Sequence, residues 1–405
     1  MAANSNETNL AYIYKRRYSD DQVSDASMRD QTVLKMIEKR DGFTGVNDKY
    51  TYAVRYGNPQ GISGTFASAQ DNNSSSKGKQ FEAVRRDGYG IVQITGPAMR
   101  AAKDDRGAFL DVVTQETDGT LEELGDALSH QLWGDGNGYL GRRASISTNT
   151  VTLGAGEARN FKVGMTVVAD NDIAGGSLRS GNTTVDKVNE DDDKITLASA
   201  AGITSFADND YLFRIGDPGT IIDGFESHIP LTAPVSGTLF RGVERTDHLR
   251  ILAGIRVDDT TTTIVENAGL CAVRIRETSS TAGNKKKILA LSPVNFWAVS
   301  RELNAKVTYD GGGVKATAMF EGFDIASPAG VLRAVSDPHC PPNRGRLLAL
   351  DTWYWKTLDP WVHVIRDDKG GPALRVYNAD AIEIRMRHMG NLCCTLPGAN
   401  AVFNI

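Results

Sequence analysis

The chain has 405 residues and a formal charge of −5, from 45 Lys and Arg against 50 Asp and Glu, and 40% of it is hydrophobic. This ordinary globular composition can build a core without disulfides or metal, and it excludes both a disordered chain and a generally basic nucleic-acid coater. Glycine is the deviation, at 41 residues, or about a tenth against a typical ~7%, and predicts many turns and positive-φ positions.

The leader MAANSNETNLAYIYKRRYSDD has no apolar region. No window approaches the ~20 apolar residues of a membrane span, so neither secretion by a signal peptide nor a transmembrane segment is expected. Ser19 and Gln22 have capping-box spacing, and Val23, Met28, Leu34 and Ile37 share a side, which predicts a helix over 20–40, ended by Gly42. Residues 50–56, YTYAVRY, alternate as a strand. GISGTFASAQ, a polar stretch DNNSSSKGK and QFEAVRRDGYGIVQIT then read as a long two-stranded arm with its tip at Asp71 to Lys79. The plainer alternative for that tip is a flexible linker. Pro97 stands at the first position of a predicted second helix running towards Val113. A third is marked by Thr120 and Glu123 as capping box, Leu121, Leu124, Leu128 and Leu132 on one face, and Gly134 as stop.

From about Ser145 to Ile215 the period falls to 2. Short Val/Thr/Gly-rich runs predict a small all-β module with six basic and ten acidic residues, which carries most of the chain's net charge and looks inserted. Asp217 to Arg241 is loop-like. A capped helix follows over 262–277 (Thr263, Glu266; Ile264, Ala268, Cys271 and Ile275 inward), then a strand over 287–291. Ser292-Pro293 opens another helix with Phe296, Val299 and Leu303 facing in. Strands are predicted at 346–350 and 361–365, and AIEIRMRHM alternates over Ile382, Ile384, Met386 and His388. No repeat of solenoid or propeller period is present.

No chemistry-bearing constellation emerges. G-x-S-x-G and H-E-x-x-H are absent. Ser74 and Lys77 match S-x-x-K only inside a Ser/Asn-rich stretch. The glycines of GDGNGYLG (134–141) follow a helix and lack the Lys-Ser/Thr of a phosphate loop, so they read as a stop and turn. Asp170, Asp172 and Glu190 to Asp193 lack the EF-hand pattern and read as a solvated acidic turn. His339 and His388 have no partner at ligand spacing. The four cysteines, Cys271, Cys340, Cys393 and Cys394, have no CxxC spacing and are expected as reduced thiols. No catalytic, cofactor or metal residue is assigned, and no enzyme is expected.

Three stretches together resemble the major capsid protein of tailed double-stranded DNA phages, the Hong Kong 97-type α+β fold. GTFASAQ with KGKQFEAVRRDGYGIVQITG (64–96) is similar to the family's extended loop. EELGDALSHQLWGDGNGYLGR (122–142) is similar to its spine helix and turn. IIDGFESHIPLTAPVSGTLFRGVERTDHLRILAG (221–254) resembles a segment of one subgroup. The resemblance implies an N-terminal arm (1–58), an extended β-hairpin loop (59–96), a peripheral domain with the spine helix (97–145) and an inserted β domain (146–216). It continues with a peripheral return segment (217–255), an axial domain (256–380) and a C-terminal peripheral strand (381–405). It further implies self-assembly through hexamers and pentamers into an icosahedral shell around packaged double-stranded DNA, held without sequence-specific binding. Assembly would take place in the host bacterial cytoplasm, and the expected place of the product is the virion capsid. Partners would be copies of itself, a portal, a decoration or cement protein and, since the family's cleaved leading segment has no counterpart here, a separate scaffolding protein. Lys77, Lys79, Arg85 and Arg86 are the candidate inter-subunit contacts. Some members join Lys to Asn between subunits, but no acidic neighbour and partner Asn are identifiable, so no cross-link is expected. An encapsulin-like cellular compartment of the same fold is the alternative, and an enzyme with an unrecognised site ranks below it.

Overall fold

A computed structural model describes residues 31–43, 49–97, 106–304, 323–327, 330–359, 361–366, 373–377 and 379–405. Its strands are β1 Glu38–Arg40, β2 Lys49–Gly57, β3 Lys77–Val84, β4 Arg86–Thr95, β5 Tyr139–Ser147, β6 Thr150–Leu153, β7 Thr166–Asp170 and β8 Thr183–Asn189. They continue with β9 Lys194–Leu197, β10 Tyr211–Arg214, β11 Leu239–Phe240, β12 Val243–Glu244, β13 Ile255–Val257, β14 Lys287–Leu291 and β15 Phe323–Ser327. The last are β16 Gly330–Ser336, β17 Arg344–Leu348, β18 Trp353–Thr357, β19 His363–Val364, β20 Ala373–Arg375, β21 Ala381–Cys394 and β22 Ala401–Asn404.

The first sheet is built on β21, whose alternation of Ile384, Met386 and His388 inward is the one read from AIEIRMRHM. β4 pairs with it antiparallel from Ala381↔Thr95 to Gly390↔Arg86, and β18, β19 and β20 also pair with it. The helix Arg106–Trp133 lies over this sheet, placing Leu121, Leu124, Leu128 and Leu132 in one core with Val92, Ile94, Trp353, Trp355 and Trp361. It passes so close to β4 that a Cβ on Gly90 would stand 3.0 Å from Thr120 Cγ2.

That helix corrects one expectation. Instead of two helices with a cap at Thr120, one 28-residue helix runs through. Thr120 Oγ1 donates to the carbonyl of Glu116 at 2.8 Å, four residues back, and so bonds within the helix. No proline interrupts 107–133, and Gly107, Gly119 and Gly125 do not break a helix with a buried leucine face. The predicted start at Pro97 runs into residues 98–105, outside the described residues. Likewise only the end of the predicted 20–40 helix is described. Thr32–Met36 is helical, Ile37 turns extended (φ −78°, ψ 130°), and β1 pairs parallel with β18. Backbone partners on a sheet edge override the helical periodicity there.

The second sheet runs β13-β22-β17-β14-β16-β15 and mixes parallel and antiparallel pairs. Helix Ile264–Thr278 carries the predicted capping box: Glu266 N donates to Thr263 Oγ1 at 3.3 Å and Thr263 N to Glu266 Oε2 at 3.1 Å. Its face of Ala268, Cys271, Ala272 and Ile275 packs on Leu289, Leu347 and Phe403. Helix Pro293–Asn304 adds Val299. The strands predicted at 346–350 and 361–365 are displaced or shorter, because Leu350–Thr352 forms a 3-10 turn and only His363–Val364 pairs.

Sheet membership also cuts across the segment boundaries taken from sequence. β18 to β20, within 256–380, belong to the first sheet, and β22, within 381–405, closes onto the second. Such long-range pairing leaves no local trace in alternation. The acidic stretch forms a closed barrel, β10-β5-β6-β9-β8-β7, around Val151, Phe161, Val167, Val185, Ile195 and Leu212. It opens at Tyr139, earlier than the period change suggests, because β5 starts directly after the glycine turn. Gly224 packs against the end of the long helix, where a Cβ would come within 2.3 Å of the Gln131 carbonyl oxygen and 2.5 Å of that of Leu132.

Candidate subunit-contact surface

The sequence places its candidate contacts on the arm. β2 and β3 form an antiparallel hairpin from Lys49↔Val84 to Gly57↔Lys77. Its base is sewn to the body. Tyr52, Val54, Phe81 and Ala83 pack with Val243, Leu252, Tyr354 and Cys393, and Tyr52 stacks on Phe81 with centroids 5.6 Å apart. Arg241 holds the Asp223 carboxylate through Nη2 at 2.8 Å and Nε at 3.0 Å, and donates to the Tyr52 hydroxyl at 3.1 Å. Asn391 Nδ2 donates to the Val84 carbonyl at 2.8 Å.

Beyond Gly57 nothing is buried. Residues 58–76 contain a bridge between Gln60 and Ser74 and a helix Phe66–Asp71, capped where Thr65 Oγ1 accepts from Ser68 N. Ile62 is 85% and Phe66 83% exposed. The tip is thus folded without a core, presenting two large apolar side chains to solvent. It differs from the predicted tip at Asp71 to Lys79. The partner of β3 is 49–57 rather than 61–70, because Thr65 caps a helix there while Tyr50, Tyr52 and Val54 supply the alternating face that pairs.

The four predicted contact residues differ in their surroundings. Lys77 is exposed opposite Gly57 and has no ion-pair partner among the described residues. Lys79 Nζ lies 2.7 Å from Asp247 Oδ2 of its own chain, and this hydrogen bond raises its pKa. Arg85 Nε pairs with Asp87 Oδ1 at 3.1 Å. Arg86 is half-buried, its Nε without a hydrogen-bond acceptor. Sequence reasoning weighted charge and passed over Ile62 and Phe66. Two large apolar residues in an otherwise small and polar stretch were the signal available.

Elsewhere the polar residues singled out from sequence take local structural roles. Asp170 accepts from Asp172 N at 2.9 Å and Ser177 N at 2.6 Å, shaping the turn after β7. Asp135 Oδ1 accepts from Asn137 N at 3.0 Å inside the glycine turn. His388 sits among Trp355 and Trp361, its Nδ1 3.1 Å from the Trp361 carbonyl oxygen, and burial pulls its pKa down to about 4. Cys393 faces the hairpin core and Cys394 the first-sheet core, and burial pushes the Cys394 thiol up to about 12. His339 does have a neighbour, Asp126 Oδ1 at 3.5 Å, unseen from spacing because it lies on the long helix. Among the described residues no group of three or more His, Cys, Asp or Glu could hold a metal ion.

No protein-family model matches the chain, and no curated protein matches its sequence. Solved structures do resemble it. The capsid asymmetric unit of cyanophage A-1(L) superposes with a TM-score of 0.53 at 12% identity, covering 92% of each chain. The capsid of an empty GTA particle gives 0.45 at 9% identity, covering 96% of this chain and 90% of the other. The SrpI encapsulin of Synechococcus elongatus gives 0.43 at 8%, covering 92% and 86%. The cyanophage match spans nearly all of both chains, so this chain has the fold of a phage capsid subunit.

Proposed function

We propose that this chain is a shell-forming major capsid protein of a tailed phage, a structural subunit rather than an enzyme. The observation that carries the reading is the arm: ordered to its tip, anchored at its base, and burying nothing beyond Gly57. A stretch with no core of its own holds a shape efficiently only when another molecule completes it. Placing Ile62 and Phe66 against a neighbour would return about 1.5–3 kcal/mol each. A shell subunit must hand a different surface to each neighbour, and an arm enlarges that contact without enlarging the core.

In this reading the hairpin is the extended loop. The long helix with the first sheet forms the peripheral domain, and the second sheet with its two helices forms the axial domain around five- and six-fold positions. The acidic barrel is an insertion on the outer surface or between capsomers. Scaffolding, portal and decoration proteins would be separate chains, and packaged double-stranded DNA would be enclosed without base-specific contacts. The fold alone does not dictate this function, so the test is direct. Electron microscopy of the purified protein, alone or with its scaffold, should show closed shells or capsomers. A strictly monomeric protein at all concentrations, also in extracts of infected cells, would refute the reading. Nucleic acid inside native particles supports the capsid, and enzyme cargo instead would favour a compartment shell.

A further inference from the structure

The barrel does not simply hang from the body. A cavity of about 550 Å³ lies between them, walled on the barrel side by Tyr139, Glu157 and Arg159 and on the body side by Glu226, Arg344 and Arg346. The guanidinium groups of Arg159 and Arg344 line this partly open space, Arg346 adjoins it without exposed surface, and not all of their donors have acceptors. Arg346 is 0% exposed. Its Nη2 bonds Glu226 and its Nη1 reaches the Ile229 carbonyl at 3.4 Å, while its Nε has no acceptor. Arg344 Nη1 lies 3.3 Å from the same Glu226, yet forms no well-directed hydrogen bond. Arg159 has no carboxylate within ion-pair reach among the described residues. Its Nη2 donates to the Cys340 carbonyl at 2.9 Å, and its Nε is likewise buried and unpaired.

One carboxylate thus serves two arginines, and the third has none. The other acids at the wall are already engaged. Glu157 accepts from Tyr139 and from the backbone N–H groups of Arg142 and Gly154, and Asp135 accepts from Asn137. Burial raises the pKa of both, against the lowering effect of the backbone N–H groups they accept from. A buried donor left without an acceptor is costly, more so when charged. Guanidinium forks match the oxygens of a phosphoryl group bidentately, as they do those of a carboxylate, and the carboxylates at this wall are already engaged.

We propose that this cavity is a phosphate-binding site in which Arg159 and Arg344 hold a phosphoryl group and the buried Arg346 adds positive charge beside it. The group bridges the barrel turn Ala158–Asn160 and the start of β17, and so fixes the attitude of the barrel on the body. The inference stands independently of shell formation. Its volume admits inorganic phosphate or pyrophosphate, and one backbone phosphate of a nucleic acid is the other source of the same chemistry.

The test is calorimetric titration of the full-length protein with inorganic phosphate, pyrophosphate and a short double-stranded oligonucleotide at physiological salt. Phosphate or pyrophosphate should bind with a dissociation constant below about 1 mM, and Arg159→Gln should weaken it by about tenfold or more. Arg159→Lys should restore part of the affinity, and Arg333→Gln, on the exposed side of β16, should leave it unchanged. Should Arg159→Gln fail to fold, Arg344→Lys, which keeps the charge and loses the fork, should show the same weakening. Free phosphate binding that the oligonucleotide does not displace assigns the small anion, and mutual displacement assigns the backbone phosphate. Absence of binding by all three probes, or binding indifferent to both Arg159 and Arg344, overturns the proposal.

Discussion

The first-sheet core and the arm tip are opposite solutions in one chain. In the core, Trp353, Trp355 and Trp361 are at most 4% exposed and His388 is 1% exposed. The rings of Trp355 and Trp361 lie 4.7 Å apart, and Trp353 Nε1 donates to Asn400 at 2.8 Å. In the tip, a capped helix and a two-residue bridge hold Ile62 and Phe66 out in water. The core's apolar surface is buried within the subunit, whereas the tip's is left in water. The difference teaches where to look for function: in ordered structure that its own fold does not bury.

The contrast can be broken at either end. The largest expected effect is Trp353→Ala, which removes a fully buried ring and one of the hydrogen bonds to Asn400 Oδ1, and should cost about 3–5 kcal/mol in urea unfolding. Acid should act on the same core. The His388 pKa is lowered by burial to about 4, so the folded state favours the neutral ring. Stability is then full above the unfolded value near 6.5 and is lost as pH falls towards 4, by roughly 3 kcal/mol. His388→Phe should flatten that part of the profile of thermal midpoint against pH, and a profile unchanged by the substitution would contradict the assignment. Gly224→Ala should cost about 1–3 kcal/mol, because its methyl would enter the carbonyls that end the long helix. At the other end of the scale, Ile62→Ala and Phe66→Ala should each change subunit stability by no more than about 0.5 kcal/mol.

What the residues disclosed in advance follows the range of the forces involved. The capping box at Thr263 and Glu266, the leucine face of the long helix and the alternation of β21 are local patterns, and each was legible. The short strands of the acidic barrel were legible too, though not their closure. The choice of 49–57 as partner of β3, the docking of β1 on β18 and the exchange of β18 and β22 between sheets depend on residues far apart in sequence. The same holds for the arginine cavity, which Arg159 and Arg344 line from the two sides of the barrel–body boundary. Of the arm's candidate contacts, charge drew attention to Lys79 and Arg85, which the chain pairs internally. Ile62 and Phe66 stand out in the sequence only as two large apolar residues in a small and polar stretch, and their exposure follows from the fold.

The most direct test of the account joins both halves of the comparison in one variant, Ile62→Asp with Phe66→Asp. Its thermal midpoint should match that of the unaltered subunit while electron microscopy shows the loss of closed shells. Shells of normal form and yield, or a variant subunit that unfolds, would contradict the claim that the tip is folded for a neighbour.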